Sequence, residues 1–331
     1  MSERLFLLGR DPSTRPRADG SGPDRAPSPL PDWAQANPVE IEEALARALA
    51  KPAGGWAVLD ASRTIRRGPR KYVVAGRELA AWWCSKPGDE GPRVGPDYCP
   101  HMGAELSKGS VDREGRIVCP WHALAFSGTE AKGGYAPLRT YDDGVLTWAR
   151  LPELASESDP LTDRPFLARR PARFLDAVIR MEARCEPRDV IANRLDPWHG
   201  AHFHPHSFAR LRVVDRGPDH VTVRVVYRIA GRVGMEVDAR FDCPDPRTIV
   251  MTIVAGEGVG SIVETHATPL ADGRTAIIEA TIATSERTEV ISWLPSASAL
   301  LRPMVEARAR KLWVEDVDYC ERTYALRKKG S

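Results

Sequence analysis

Cys99-Pro100-His101 and Cys119-Pro120-Trp121-His122 bring two thiols and two imidazoles into two short segments, with seventeen residues between them. Thiolate and imidazole are the donors that soft and borderline metals prefer. Each pair fits one of two facing loop tips, and two metals suit such a set. Zinc would make a closed tetrahedral Cys2His2 site. A [2Fe–2S] cluster would take both cysteines on one iron and both histidines on the other. Further along, His199, His202, His204 and His206 gather half of the eight histidines of the chain within eight residues. Alone, that segment reads as an exposed His-rich turn or as part of a mononuclear metal site.

The residues around the first four donors separate the two metals. A zinc finger sets its two His three to five residues apart on a helix after two close Cys, whereas here each Cys has its own His. The loops read Cys-Pro-His-Met-Gly-Ala-Glu-Leu-Ser-Lys-Gly (99–109) and Cys-Pro-Trp-His-Ala-Leu-Ala-Phe (119–126). They closely resemble the Rieske [2Fe–2S] domain, including Gly103, Leu106, Gly109 and Phe126. The resemblance implies a cluster held by Cys99, His101, Cys119 and His122. In the high-potential respiratory type each loop carries an extra Cys, and the two form a disulfide; Ala104 and Trp121 occupy those positions here. That implies the oxygenase or ferredoxin type, with a potential nearer the roughly −150 mV end of the Rieske range. One departure stands out: oxygenase loops usually read His-Gly-Trp-x-Phe, and this chain has His122-Ala123-Leu124-Ala125-Phe126.

Beside such a domain, the order Asn193-x2-Asp196-x2-His199-x4-His204 resembles the mononuclear-iron segment of the Rieske non-haem iron oxygenases, α-subunit type. The resemblance implies that His199 and His204 bind Fe(II) in a facial triad, with an Asp from the C-terminal helix as third ligand. Asp316 is best placed for it, Asp318 next, and Glu321 trails by five residues; the plain alternative for Glu315, Asp316 and Asp318 is a solvated helix face. Five residues apart, His199 and His204 would lie about 140° round an ideal helix from each other. The helix must therefore end or distort between them, which Gly200 and Pro205 permit, and His202 is the competing ligand. Asp196 and Asn193 are the candidate catalytic residues that the resemblance implies. The family places the matching Asp between the cluster of one subunit and the iron of its neighbour, in a ring that is commonly a trimer; a helix N-cap before Pro197 is the local alternative.

The implied activity is reduction of O2 at Fe(II) for hydroxylation, demethylation or desaturation of a small hydrophobic organic substrate. Electrons would come from a separate reductase or ferredoxin, with NAD(P)H entering only through a reductase. A reading from another class is a Rieske electron-transfer or ligand-binding protein whose second domain holds no catalytic iron.

A scaffold for these donors must fit 331 residues, enough for two domains of ordinary size. Apolar residues make up 42% and charged residues 28%, as in ordinary globular proteins. Net charge is +2 from 47 basic and 45 acidic residues, which gives no electrostatic case for nucleic acid or anionic membrane. No run of 18 apolar residues and no apolar leader is present, so neither a transmembrane segment nor secretion is expected. Cys84, Cys185, Cys243 and Cys320 sit singly in apolar patterns, as small buried hydrophobes in a reducing, cytoplasmic compartment.

Along the chain, residues 1–36 are rich in Pro, Arg and Gly and are expected to be a disordered tail. Asn37-Pro38 opens a short helix to about residue 50. From 56 to 151 the pattern is short β segments between turns: 56–59, 72–74, 77–83, 116–118 and 145–149. A polar, Pro-containing connector at 152–165 ends this part. The remainder predicts a helix near 189–202, strands at 221–229, 234–243, 248–255, 261–269 and 276–284, and a long amphipathic helix over about 289–327. Gly256-Glu257-Gly258-Val259-Gly260 lies between two β patterns and reads as a hairpin turn rather than a dinucleotide loop. The expected fold is α+β. An all-β Rieske domain with a leading helix (37–154) precedes a helix-grip, START-like domain (155–331), whose antiparallel sheet wraps a long C-terminal helix around a hollow.

Overall fold

A computed structural model of the chain describes residues 5–7, 35–230, 233–285 and 288–330. Most of the tail expected over 1–36 lies outside the described residues; within it, Leu5–Leu7 is a short strand paired with Val233–Asp245. The Asn37 side chain accepts the Val39 N–H at 3.1 Å and opens helix α1 (Pro38–Leu49), with Pro at its first position. Leu45 and Ala48 bury the apolar side of α1. They do so in the core of the second domain, not in the cluster domain that α1 was expected to lead.

The first domain consists of three small antiparallel sheets and a one-turn helix, α2 (Ser62–Ile65). One sheet joins Trp56–Ala61, Leu146–Arg150 and Thr140–Asp142. The next joins Arg70–Val74, Arg77–Cys84 and Gly91–Pro96, and the third joins Ser110–Val111, Ile117–Val118 and Ala125–Phe126. Arg77–Cys84 is the hub because its period-2 alternation buries both faces. Leu79 and Ala81 meet Leu59, Ile65 and Val94 on one side. Ala80 and Trp82 meet Leu106, Ile117 and both Cys99 and Cys119 on the other. Burying a side chain of this size is worth about 1.5–3 kcal/mol, so the same packing that stabilises the domain anchors the thiols. Gly91–Pro96 escapes the sequence pattern because Gly and Pro carry no strand signal of their own. Its ladder is imposed by the neighbouring strand.

The second domain opens with Leu175–Ala183 and then helix α3 (Pro187–Leu195), started by a Glu186/Asp189 capping box. A 3-10 turn at Pro197–His199 and the single turn α4 (Gly200–Phe203) follow. The chain ends in α5 (Thr288–Lys329). The large sheet runs in the order Leu175–Ala183, Thr275–Ala283, Ile262–Pro269, Thr248–Gly256, Val233–Asp245, His220–Ala230, Phe208–Gly217, antiparallel throughout. Along Thr275–Ala283 the odd position Ile277 packs toward Ala309, Trp313 and Cys320 of α5. The even positions Ala276, Ile278, Ala280 and Ile282 pack on Trp56, Val58, Leu146 and Trp148 of the first domain. Covered on both sides, these strands read as nearly continuous apolar runs instead of clean alternation. Besides Leu5–Leu7, the strands of this sheet absent from the sequence expectation, Leu175–Ala183 and Phe208–Gly217, are the two ends of its path, each held by a single neighbour on it.

Candidate metal centres

The two cluster loops are one turn built twice. In each, the Cys N–H donates to the carbonyl five residues on, Ala104 at 2.9 Å and Leu124 at 2.8 Å. In each, the Cys carbonyl accepts the N–H four residues on, Gly103 at 2.8 Å and Ala123 at 3.1 Å. Both fourth residues take positive φ, 79° at Gly103 and 57° at Ala123. Glycine adopts that conformation freely and alanine at a steric cost. The departure at Ala123 is thus a substitution at the one loop position where glycine matters most. The third small sheet holds the loops face to face: Cys119–Leu124 is its hairpin loop, and the strand at Ser110 leaves the first loop directly.

Cys99 and Cys119 are buried while His101 and His122 are exposed, with their rings edge to face at 4.9 Å. Sulfur donors on the inside and nitrogen donors on the outside form the polarity that a [2Fe–2S] cluster with one iron on each requires. Burial pushes the Cys99 thiol up; at Cys119 the backbone N–H groups of His122 and Trp121 outweigh burial and bring it below the ordinary thiol value. Donors aimed at a sulfur stabilise its charge whether the charge comes from deprotonation or from a metal. Ala104 is buried and Trp121 exposed, so no disulfide crosses this site.

Among the described residues, one group of three donors could hold a single ion: His199, His204 and Asp316, whose ligand atoms all lie within 4.8 Å of one another. Asp316 Oδ1 lies 3.0 Å from His199 Nε2 and 2.9 Å from His204 Nε2. The helix does break between the two histidines. His199 ends the 3-10 turn, α4 lasts four residues, and His204 leaves it at φ −122°, ψ 55°. On α5, Ala309, Trp313, Asp316 and Cys320 follow the i, i+4, i+7, i+11 spacing of one helical face, and all four are buried. Asp318 and His202 are exposed and lie outside the group. Glu321 accepts the Arg184 N–H at 2.8 Å instead.

Asn193, fully buried, donates through Nδ2 to Asp316 Oδ1 at 3.3 Å. His204 Nδ1 faces Glu315 Oε2 at 2.5 Å, and Tyr319 stacks on His199 at 5.4 Å. Glu315 and Tyr319 were not legible as site residues: Glu315 reads as one of a solvated acidic triplet until α5 is laid against the loop at His204. Burial alone would lower the His204 pKa, but the Asp316 and Glu315 carboxylates outweigh it and raise it. Burial would raise Asp316, and the two histidines overcome it, holding the carboxyl well below the usual range. Asp196 is raised by burial, with only partial relief from His199. Its backbone carbonyl meets His199 Nδ1, and its Oδ1 is buried with no hydrogen-bond partner among the described residues. Next to the site, between the sheet and α5, lies a hollow with a volume of about 390 Å³. Arg194, Phe208, Tyr227, Phe241 and Leu312 line both the hollow and the recess at His199, His204 and Asp316.

The family described as Domain of unknown function (DUF5914) matches residues 156–331, and the Rieske [2Fe-2S] domain matches residues 55–141. Cholesterol 7-desaturase nvd of Hemicentrotus pulcherrimus is 36% identical over 80 residues, which are 24% of this chain and 16% of that protein. The fold matches the crystal structure of dicamba monooxygenase bound to dicamba with a TM-score of 0.57 at 17% identity, over 84% of this chain and 89% of that one. It matches the fluorene-bound oxygenase and ferredoxin complex of carbazole 1,9a-dioxygenase with a TM-score of 0.52 at 15% identity, over 87% of this chain and 88% of that one. At these identities the likeness is one of fold.

Proposed function

We propose an oxygenase, from this premise: the chain belongs to the family described as Domain of unknown function (DUF5914), and a Rieske [2Fe-2S] domain precedes that part. The observation that carries the reading is the convergence of His199, His204 and Asp316 in a recess that shares its wall with a largely apolar hollow. Cys99, His101, Cys119 and His122 would hold the cluster, and the three converging residues would hold Fe(II). When bound, the cluster supplies electrons and Fe(II) supplies open coordination positions for O2, the co-substrate of hydroxylation, demethylation or desaturation.

The chain's own residues do the positioning. Glu315 takes the Nδ1 side of His204 and Asn193 the Asp316 carboxylate, so both ligands keep their aim. Tyr319 covers the His199 ring, and Phe208, Tyr227 and Leu312 keep the hollow dry. Asp196 takes the role of link between a cluster and the iron site of a second copy. The exposed His101 and His122 leave the outer face of the cluster loops open to a neighbouring copy, which favours that arrangement, in a homo-oligomer of trimer type. The electron donor is a separate ferredoxin or reductase, by analogy with the ferredoxin-bound dioxygenase of the same fold. Among the described residues no helix is long and apolar enough to cross a membrane; a cytoplasmic enzyme acting on a small hydrophobic molecule fits.

The competing reading, a Rieske electron carrier whose second domain is free of iron, leaves the three-donor group without a use. Iron and acid-labile sulfide on anaerobically purified protein separate the two. The oxygenase predicts about three irons and two sulfides per chain, falling to about two irons in His199→Ala/His204→Ala. Two irons in both proteins after Fe(II) reconstitution would leave only the carrier.

A further inference from the structure

Of the two carboxylates that line the hollow, Glu257 and Glu279, only Glu279 is buried. Glu279 is 6% exposed, on the α5 side of the strand Thr275–Ala283, among Met251, Ile253 and Val263. A carboxylate in such a place is costly unless its oxygens are satisfied. One of them is satisfied three times. Oε2 accepts from Trp313 Nε1 at 2.6 Å, from Arg194 Nη2 at 3.1 Å and from Thr265 Oγ1 at 3.4 Å. Oε1 has no partner among the described residues, although Glu279 lines the hollow. The donors come from α3, α5 and the neighbouring strand, so the carboxylate is clamped on one side and open on the other. Arg194, which holds Glu279 from one side, also lines the recess at His199, His204 and Asp316.

We propose that Glu279 is the polar anchor of the hollow, its Oε1 accepting a hydrogen bond from a neutral donor, a hydroxyl, on an otherwise apolar ligand. Arg194 offsets Glu279, and the other charged residues of the wall, Glu257 and Arg308, are likewise one of each sign, so a cationic ligand would bring an uncompensated charge into the cavity and a carboxylate would meet repulsion at Glu279. A hydroxyl needs neither. The polar end sits by Arg194, and the apolar body fills the remainder of the 390 Å³. The anchor deepens the oxygenase reading by naming the substrate class, and it rests on that reading for what happens to the bound molecule.

The test is calorimetric binding of 2-naphthol and 2-methoxynaphthalene to the full chain with its metals as purified. Each probe carries one oxygen on the same ring system, and only the naphthol donates. The wild type should favour the naphthol by about tenfold or more, the effect of one hydrogen bond to a charged acceptor. In Glu279→Gln, the three donors at the inner position oblige the amide to turn its carbonyl toward them and its NH2 into the hollow. The preference should then vanish or invert. Glu279→Asp keeps the charge on a shorter arm and should also lose the preference, so the test survives if the Gln variant fails to fold. Equal affinities in the wild type, an unchanged ratio in both variants, or no binding of either probe overturns the anchor. Iron stoichiometry is read separately: a chain with only cluster iron would sink the oxygenase and leave the donor preference standing.

Discussion

His204 is gripped at both ring nitrogens by consecutive residues of one helix. Glu315 meets Nδ1 at 2.5 Å and Asp316 meets Nε2 at 2.9 Å. Neighbours on a helix diverge by about 100°, so the imidazole fits in the angle between them. With the Nδ1 proton donated to Glu315, Nε2 keeps its lone pair for a metal. Glu315→Ala should weaken Fe(II) binding about 10–100-fold in a titration of metal-free protein. Glu321→Ala, whose carboxylate serves Arg184, should leave it unchanged. Acidity acts on the same nitrogen. Because the folded His204 pKa is raised, the contact stabilises metal-free protein fully below the unfolded value and is lost as pH rises through the folded one. Proton and metal compete, so iron retained after dialysis should begin to fall while the pH is still above the ordinary value of 6.5. Retention that stays flat down to about pH 5 would contradict this ordering. In the cluster loops, Ala123→Gly should relieve the left-handed strain at φ 57° and raise resistance to cluster bleaching in denaturant by ~0.5 kcal/mol, after the entropy glycine adds to the unfolded chain.

At the scale of elements, the third small sheet is a clamp with little tolerance. A Cβ on Gly109 would lie 2.0 Å from the Val118 carbonyl oxygen, where Ser110 pairs with Val118. Gly109→Ala should therefore part the two loops and abolish the visible absorption of the cluster while the second domain keeps its far-UV signal. Elements also explain what could be read in advance. The candidate cluster ligands stand out in the sequence because each Cys and its His are neighbours in the chain. Asp316 was a candidate only through the family resemblance, which asks for an Asp on the C-terminal helix; the structure sets it in the buried Ala309–Trp313–Cys320 stripe beside His199 and His204. Glu279 was not legible, because Trp313, Arg194 and Thr265 reach it from three distant elements. Nor were the end strands Leu175–Ala183 and Phe208–Gly217, which the sheet recruits by pairing more than their own pattern declares.

Across the whole molecule, the two domains share a core rather than touch at a rim. Trp148, 3% exposed, packs with Ile278, Ala280 and Ile282 across the boundary. Trp148→Ala should cost about 3–5 kcal/mol, and cluster bleaching and loss of far-UV signal should shift together to lower denaturant. A shift confined to one of the two signals would mean that the domains unfold independently. The sheet between them is a party wall, papered differently on each side. Along Thr275–Ala283, positions 279, 281 and 283 look into the hollow, and positions 276, 278, 280 and 282 carry the first domain. Drift at the former can retune what the chain accepts, and the latter keep the redox module seated while it does. Divergence among descendants of such a scaffold should accordingly be written in every second residue.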